Sequence, residues 1–221
     1  MYVCYIDFRK AFDSVWPKGL WRVMRHYGYP EKIVRILQNM YNETFSAVRV
    51  DGDLSDWFNT SVGLLQGGVL SHLLFNIFLE VIVAIALSDV DIGAVLSGVL
   101  LSDLRFADDI ALLSEDACGL QSSVNQVVLA ATGMGMCISK TKTEVQYRGK
   151  GNKEFQILVD GQQTQQSDNF IYLGGNVSTE GGADGDITKR LGLASLASGV
   201  LQSLCDIRTT RFIQSHKDLC L

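Results

Sequence analysis

The chain has 221 residues, of which 47% are hydrophobic, and a formal net charge of −5 at pH 7. That length can bury one sizeable core with a small appended subdomain, and the acidic balance does not resemble a nucleic-acid-binding domain taken as a whole. The five cysteines include no Cys-x-x-Cys pair, which argues against a zinc site or a disulfide framework and indicates a reducing compartment. We therefore expect an intracellular protein, and the sequence leaves open whether it is nuclear or cytoplasmic.

The first predicted element is a buried strand over Tyr2–Phe8, a run of aromatic and β-branched residues with Asp7 at its end. We expect no signal peptide, because these residues already have the character of a core strand. A helix then begins near Val15, with Pro17 in its first turn and Asp13 as its cap. A second amphipathic helix follows. The predicted core faces are Leu20, Val23, Met24 and Tyr27 in the first helix, and Ile33, Ile36, Leu37, Met40 and Tyr41 in the second.

The next segment predicts a hairpin and a loop. Ala47–Val50 is typical of a strand that enters a turn at Asp51-Gly52, and a second strand near Trp57–Val62 pairs back. A glycine-rich loop, Gly63–Gly68, then leads into an apolar helix from about Ser71.

The apolar helix is nearly as long as a membrane-spanning helix. Val69–Leu87 is close to the length of a bilayer crossing. It contains His72, Asn76 and Glu80, however, and a charge at the middle of a lipid-spanning helix costs at least about 2.5 to 3.5 kcal/mol. We therefore predict a buried core helix and no membrane partner.

The second half of the chain predicts further strands and helices. Val95–Leu113 supplies two strands, Gln121–Thr132 a helix, and Gly174–Gly185 a glycine-rich loop before a final helix that runs through Leu204. The inward positions of the Gln121–Thr132 helix are Val124, Val127, Val128 and Ala131, and short strands are expected near Glu144–Tyr147, Phe155–Val159 and Phe170–Leu173. Strands that first alternate with helices, followed by a separate hairpin and helix, indicate an α+β fold with a distinct C-terminal piece.

The most informative motif is Phe106-Ala107-Asp108-Asp109, which is flanked by apolar strand residues. Two interpretations are open, because Asp is common in turns for its own hydrogen bonds, whereas buried charge must be paired or must hold a metal. A third carboxylate from elsewhere would favour a two-metal site, whose ions lie about 4 Å apart. Asp7, at the end of the first strand, is that candidate.

Charge is unevenly distributed along the chain. Residues 17–49 hold six Lys or Arg against two Glu, and residues 140–153 hold four Lys and one Arg, whereas residues 80–116 hold eight acids against one Arg. Basic flanks around an acidic centre suit an enzyme that grips a polyanion and holds metal ions. Solvated charge on surface helices explains part of the same pattern.

The order of these motifs resembles that of reverse transcriptases, and most closely those of non-LTR (LINE-type) retrotransposons. The resemblance covers nearly the whole chain and depends on five motifs together rather than on any one of them. They are Asp7-Phe8-Arg9-Lys10-Ala11-Phe12-Asp13, Gly63–Ser71 with Leu74-Phe75-Asn76, Phe106-Ala107-Asp108-Asp109, Gly135–Ser139 with Lys142-Thr143-Glu144, and Tyr172-Leu173-Gly174.

The resemblance implies a reverse-transcriptase palm, an antiparallel sheet backed by helices, over residues 1–148. It implies a β-hairpin with the primer-grip segment over 149–175 and a partial helical thumb over 176–221. Because the chain opens at the first catalytic strand, we expect an N-terminally truncated copy without fingers, whose fingers and endonuclease segments belonged to a parent polyprotein.

The resemblance also implies a mechanism. Asp7 and Asp108 would hold two Mg²⁺ ions, with Asp109 beside them and Mn²⁺ as an alternative ion, since an all-oxygen site suits these metals. One ion would activate the primer 3′-hydroxyl and both would stabilise charge at the α-phosphate of the deoxynucleoside triphosphate (dNTP). The implied partners are an RNA template, a DNA primer and dNTPs.

Further positions take their roles from the family. Phe12 would lie beneath the incoming sugar and exclude a 2′-hydroxyl, although a core Phe on the first helical turn is the alternative. Gln66 and Gly67 would form the floor under the nucleotide and template base. Lys142 would lie near the triphosphate, or be a solvated lysine, and Tyr172–Gly174 would support the primer end.

Some residues depart from the family pattern. His72 stands where Pro is usual in the family, although Ser71 can still cap the helix. Gly68 and Val69 replace the commoner Cys or Asp and Pro, and Ser139 replaces the usual Asn. An inactive remnant or a domesticated nucleic-acid- or protein-binding domain is therefore the alternative function. An RNA-dependent RNA polymerase or an intron-type maturase is disfavoured by Phe12 and by Phe106-Ala107.

Overall fold

The computed structural model describes residues 1–88, 91–151, 153–179, 181–182 and 185–198. The chain divides into two compact units, Met1–Asp168 and a second unit that begins at Asn169. The helices are α1 (Pro17–His26), α2 (Glu31–Tyr41), α3 (Ser71–Leu87), α4 (Ala117–Gly133) and α5 (residues 185–198), with a single 3₁₀ turn at Phe12–Ser14. The strands are β1 (Tyr2–Ile6), β2 (Phe45–Ser46), β3 (Arg49–Val50), β4 (Asp53–Leu54), β5 (Phe58–Asn59), β6 (Ala94–Leu96), β7 (Val99–Leu101), β8 (Asp103–Phe106), β9 (Asp109–Ser114), β10 (Glu144–Tyr147), β11 (Leu158–Val159), β12 (Gln162–Gln163), β13 (Gln165–Gln166), β14 (Asn169–Tyr172) and β15 (Gly175–Ser178).

A five-stranded sheet in the order β13-β10-β1-β9-β8 is the centre of the first unit. In this sheet, neighbouring strands among β10, β1, β9 and β8 run antiparallel, whereas β13 runs parallel to β10. β1 lies between β10 and β9, so that Cys4 pairs with both Val145 and Leu112. A central strand needs apolar side chains on both faces, which is why β1 has almost no polar residue. The predicted α+β class with an antiparallel sheet is confirmed.

Helices cover the sheet and form the core with it. α4 packs against β1 and β9, α3 packs against α4, and α1 packs against α3. Val124, Val127 and Ala131 of α4 are fully buried, as the periodicity predicts. α3 begins at Ser71 as predicted and buries most of its apolar residues. No helix among the described residues is long and apolar enough to cross a membrane.

The predicted core face of α2 is wrong in most of its positions. Val34 and Leu37 are the buried residues, whereas Ile33, Ile36 and Met40 are exposed. α2 packs on α1, which covers only a narrow stripe of the helix. Tyr27 of α1, also predicted inward, is 46% exposed because it follows the last helical residue.

Hairpins occupy the remaining segments. The predicted turn at Asp51-Gly52 joins β3 to β4, and both residues have positive φ, as a two-residue hairpin turn favours. Val95–Leu113 forms an additional hairpin, β6–β7, before β8 and β9. In the second unit, the start of the predicted glycine-rich loop is instead strand β15, paired with β14. The final helix is described over residues 185–198, and its predicted continuation to Leu204 lies outside the described residues.

Candidate active site

Sheet register brings the three predicted carboxylates to one end of the sheet. Ile6, the last residue of β1, pairs with Ile110 of β9, so Asp7 follows β1 where Asp109 begins β9. Asp108 lies in the two-residue turn that joins β8 to β9, next to the Phe106–Asp109 pair. The central strand and the hairpin therefore place Asp7, Asp108 and Asp109 as neighbours.

The three carboxylates act on one another electrostatically. Burial raises the pKa of Asp7, an effect that Lys142 opposes and the charge of Asp108 reinforces. Burial also raises the pKa of Asp109, and the charges of Asp108 and Asp7 raise it further. Like charges held close together disfavour ionisation, and a bound cation would relieve this repulsion.

One oxygen of the group lacks a hydrogen bond. Asp7 Oδ1 is buried and accepts no hydrogen bond within the described part of the chain, and its nearest cation is Lys142 Nζ at 3.7 Å. Three carboxylates with a buried, unsatisfied oxygen fit a hard divalent ion. Among the described residues, no three His, Cys, Asp or Glu side chains are already close enough to form a metal cluster. The fit of a divalent ion to these carboxylates therefore depends on the chemistry of their oxygen atoms and on Asp7 Oδ1, which is buried without a hydrogen bond.

The tip of the β8–β9 hairpin is strained. Ala107 has a φ of +52°, a left-handed conformation that costs a residue with a Cβ about 1 to 2 kcal/mol. The strain lies in the turn that presents Asp108, and the hairpin turns at Asp51, Ser97 and Leu173 share the same left-handed conformation, so it is a feature of the turn geometry.

Phe12 lies in the 3₁₀ turn that follows Asp7, and its ring is half-buried. It stacks on Phe75 of α3 with ring centroids 4.6 Å apart and meets the His72 ring edge-on at 5.4 Å. α3 thus supports one side of the ring, as the core interpretation expects, while part of the ring stays accessible, as a sugar-contacting role requires. Its role as a steric gate stays a prediction.

The glycine-rich loop Gly63–Gly68 is attached to the turn that carries Phe12. The Leu64 N–H donates to the Phe12 carbonyl at 2.8 Å, and Gln66 Nε2 donates to Asp13 Oδ1 at 2.8 Å. Gly67 has a φ of +82°, and nothing lies within 4 Å of the place where a Cβ would stand. The loop therefore leaves open space at Gly67, as close approach of a ligand would need.

Two predicted helix caps are wrong. Asp13 does not cap α1, whose N-cap is Trp16 without a side-chain hydrogen bond, because Asp13 instead accepts from Gln66. Ser71 does not cap α3 either, since its hydroxyl donates to the Leu65 carbonyl. Both side chains form hydrogen bonds with the glycine-rich loop Gly63–Gly68 instead of with a helix end.

Lys142 reaches the site from a loop attached to Asp7. The Ser139 N–H donates to the Asp7 carbonyl at 2.7 Å, and the Asp7 N–H donates to Thr143 Oγ1 at 3.4 Å. The Lys142 side chain is 70% exposed, so it is solvated and also paired with Asp7. Thr143 lies in a motif that the sequence analysis names, but its contact with the Asp7 backbone was not predicted, because a Thr after a Lys carries no signal for a distant partner.

The predicted primer-grip residues belong to the second unit. Tyr172 pairs with Gly175, and Leu173-Gly174 forms the two-residue turn between β14 and β15. Both turn residues have positive φ, +51° at Leu173 and +76° at Gly174. The segment is therefore a tight hairpin tip, with Leu173 52% exposed.

Comparison with known protein families identifies the class of protein. The family model for "Reverse transcriptase (RNA-dependent DNA polymerase)" matches residues 1–177, and the chain belongs to that family. Members of the family copy a nucleic-acid template with the help of divalent metal ions.

The particular relatives are retrotransposon proteins. The chain is 28% identical over 191 residues to the Pol polyprotein of the type-2 retrotransposable element R2DM of Drosophila melanogaster, covering 81% of this chain and 18% of that protein. It is 27% identical over 121 residues to the RNA-directed DNA polymerase of the mobile element jockey of Drosophila funebris, covering 54% of this chain and 12% of that protein. The resemblance to non-LTR reverse transcriptases is confirmed, and the chain spans less than a fifth of either relative.

The fold is shared with telomerase. The structure of telomerase from Candida tropicalis in complex with a fragment of telomeric RNA matches with a TM-score of 0.59 and 13% identity, covering 83% of this chain and 29% of that one. Apo telomerase from the same organism matches with a TM-score of 0.56 and 14% identity, covering 80% and 34%. At this identity the likeness establishes the fold and confirms a palm-like architecture.

Proposed function

We propose that this chain is the palm and the start of the thumb of an RNA-directed DNA polymerase that joins dNTPs to a primer 3′-hydroxyl on an RNA template. The observation that supports it most is the meeting of Asp7 with Asp108 and Asp109 at one end of the sheet, where Asp7 Oδ1 is buried without a hydrogen bond from any described residue. Family membership supplies the reaction class.

In this proposal the carboxylates are the metal ligands. Asp7 and Asp108 hold two Mg²⁺ or Mn²⁺ ions, and Asp109 adds negative charge beside them. When bound, the ions lower the pKa of the primer 3′-hydroxyl and stabilise charge at the α-phosphate. The protein orients the ligands: β1 presents Asp7, and the strained tip at Ala107 presents Asp108.

The remaining residues position the substrates. Phe12 lies beneath the incoming sugar, Gln66 and Gly67 form the floor under the nucleotide and template base, and Lys142 approaches the triphosphate. Tyr172, Leu173 and Gly174 support the primer end. We propose a palm over residues 1–148, a hairpin and primer-grip segment over 149–175, and a partial thumb over 176–221. Since the chain spans only 18% of its Drosophila melanogaster relative, we also propose that it belongs to a longer polyprotein that carries fingers and endonuclease segments.

Primer extension tests this function directly. An annealed DNA primer on an RNA template, supplied with Mg²⁺ and dNTPs, should be extended by the wild-type chain and not by the Asp108→Asn variant. Extension that survives Asp108→Asn would show that the metal site is wrongly assigned. RNA binding without any extension would favour the inactive or domesticated binding domain.

A further inference from the structure

Asp7 Oδ1 is the only buried side-chain oxygen or nitrogen without a hydrogen bond in the described part of the chain. The one cation that pairs with it is Lys142, whose Nζ lies 3.7 Å away. A buried carboxylate oxygen needs either a hydrogen bond or a positive charge close by. Lys142 provides that charge.

Backbone contacts keep Lys142 near Asp7. Ser139 N–H donates to the Asp7 carbonyl, Asp7 N–H donates to Thr143 Oγ1, and Thr143 N–H returns to the Ser139 carbonyl at 2.9 Å. Ser139 and Thr143 are buried, so the turn that carries Lys142 is attached to the catalytic strand on both sides. The Lys142 side chain itself stays 70% exposed and free to change partner.

We propose that Lys142 is the internal counter-ion of Asp7, that its ammonium and a divalent cation occupy Asp7 Oδ1 in turn, and that its release makes it available to the triphosphate. A divalent ion bound to Asp7 Oδ1 would repel an ammonium that lies only 3.7 Å from the same oxygen. A released ammonium on a flexible stem has three donors for phosphate oxygens. Lys142 would therefore couple metal binding to nucleotide binding. This inference depends on the proposed metal site.

The chain offers a matched control in Lys140. This lysine lies two residues away in the same loop and pairs with Asp160 at 3.6 Å instead of with Asp7. Lys140→Met removes the same charge from the same turn and leaves Asp7 Oδ1 paired. Lys142→Arg keeps a positive charge, whereas Lys142→Met removes it. Because Lys142 is largely exposed, these variants are expected to fold, and circular dichroism verifies this.

Mn²⁺ binding by the full chain, followed by the electron paramagnetic resonance signal of free Mn²⁺, gives a readout that does not need activity. Lys142→Met should bind Mn²⁺ about twofold to fivefold more tightly than wild type, the range expected for losing one exposed ion pair. Lys142→Arg and Lys140→Met should bind as wild type does. Unchanged or weaker Mn²⁺ binding by Lys142→Met would overturn the inference.

Nucleotide binding should change in the opposite direction. With saturating Mn²⁺, Lys142→Met should bind thymidine triphosphate at least about tenfold more weakly than wild type, because a charge-assisted hydrogen bond is lost. If Lys142 had only a structural role, Lys142→Met would bind both Mn²⁺ and the nucleotide more weakly, and that result would also contradict the inference. Asp7→Asn and Asp108→Asn separate the two hypotheses. If they bind Mn²⁺ like wild type, the proposed metal site fails; if they lose Mn²⁺ while Lys142→Met matches wild type, only the Lys142 inference fails.

Discussion

Gln66 donates a hydrogen bond from Nε2 to Asp13 Oδ1 across 2.8 Å, which connects the glycine-rich loop to the turn that carries Phe12. The loop is also held by its backbone, because Gly63 N–H donates to the Val15 carbonyl at 2.8 Å. The position of Gln66, and with it the proposed floor of the nucleotide site, thus depends on a residue in the first motif.

The coupling between Gln66 and Asp13 is the first prediction. A double-mutant cycle with Gln66→Ala and Asp13→Ala should give a coupling free energy of about 0.5 to 1 kcal/mol, since the bond is exposed to solvent. Chemical denaturation measures it. Asp13→Asn keeps an oxygen acceptor and is the matched control, expected to stay near wild type. Additive single mutants would show that the bond contributes nothing to stability.

Asp108→Asn should lower the rate of primer extension at least about a hundredfold, because a metal ligand loses its charge. Asp116→Asn is a suitable control. Asp116 caps α4 through Gly119 N–H at 2.7 Å, and Asn caps equally well, so this change should leave extension unaltered. A comparable loss in both variants would indicate a general charge effect rather than a metal ligand.

Phe12→Ala should admit ribonucleotides. Removing the ring opens space for a 2′-hydroxyl, so the preference for deoxynucleotides, expressed as the ratio of kcat/KM values, should fall. The ring is half-buried on Phe75, and its removal should also cost about 1 to 3 kcal/mol in the free energy of unfolding. His72→Ala removes the edge contact and leaves the ring in place. Unaltered sugar selectivity in Phe12→Ala would contradict the steric gate.

Asp109→Asn should stabilise the metal-free chain at neutral pH. The pKa of Asp109 is raised in the folded protein, so the folded state binds more protons than the unfolded state just above the ordinary carboxyl pKa. Stability from this group is therefore present at low pH and is lost as pH rises through the folded pKa.

Thermal unfolding measured with and without Mn²⁺ tests this difference. The gain should stay below about 1 kcal/mol, because solvent screens the site. It should shrink when Mn²⁺ is added, since the cation relieves the same repulsion. Asp53→Asn in the β3–β4 hairpin is the control. A less stable Asp109→Asn variant in metal-free buffer would show that the carboxylates do not repel one another.

Leu173→Asn should stabilise the β14–β15 hairpin. Leu173 adopts a φ of +51°, which Asn tolerates better than Leu, so a gain of about 0.5 to 1 kcal/mol is expected. Slower hydrogen exchange of the Tyr172 and Gly175 amides measures it. Primer extension should fall in the same variant if the tip supports the primer. Gly174→Ala should instead speed the hydrogen exchange of the same amides, because Gly174 has a φ of +76° that Ala adopts less readily.

Local sequence was sufficient for most elements of the fold. β1, α3, α4 and the hairpin that carries Asp108 follow from periodicity and turn chemistry, which act between residues a few positions apart. The face of α2 was not predictable in this way. Both possible stripes of that helix are apolar, and only its packing on α1 decides that Val34 and Leu37 are buried.

The sequence by itself determined which residues could form the site: Asp7 at a strand end, Asp108 and Asp109 at a hairpin, and a family whose motifs include them. Tertiary structure alone decided their partners. Asp7 meets Thr143 across 136 positions and Gln66 meets Asp13 across 53, so neither contact leaves a local pattern. The burial that leaves Asp7 Oδ1 beside Lys142 has the same origin, because desolvation depends on every element packed around an atom and not on its neighbours in sequence.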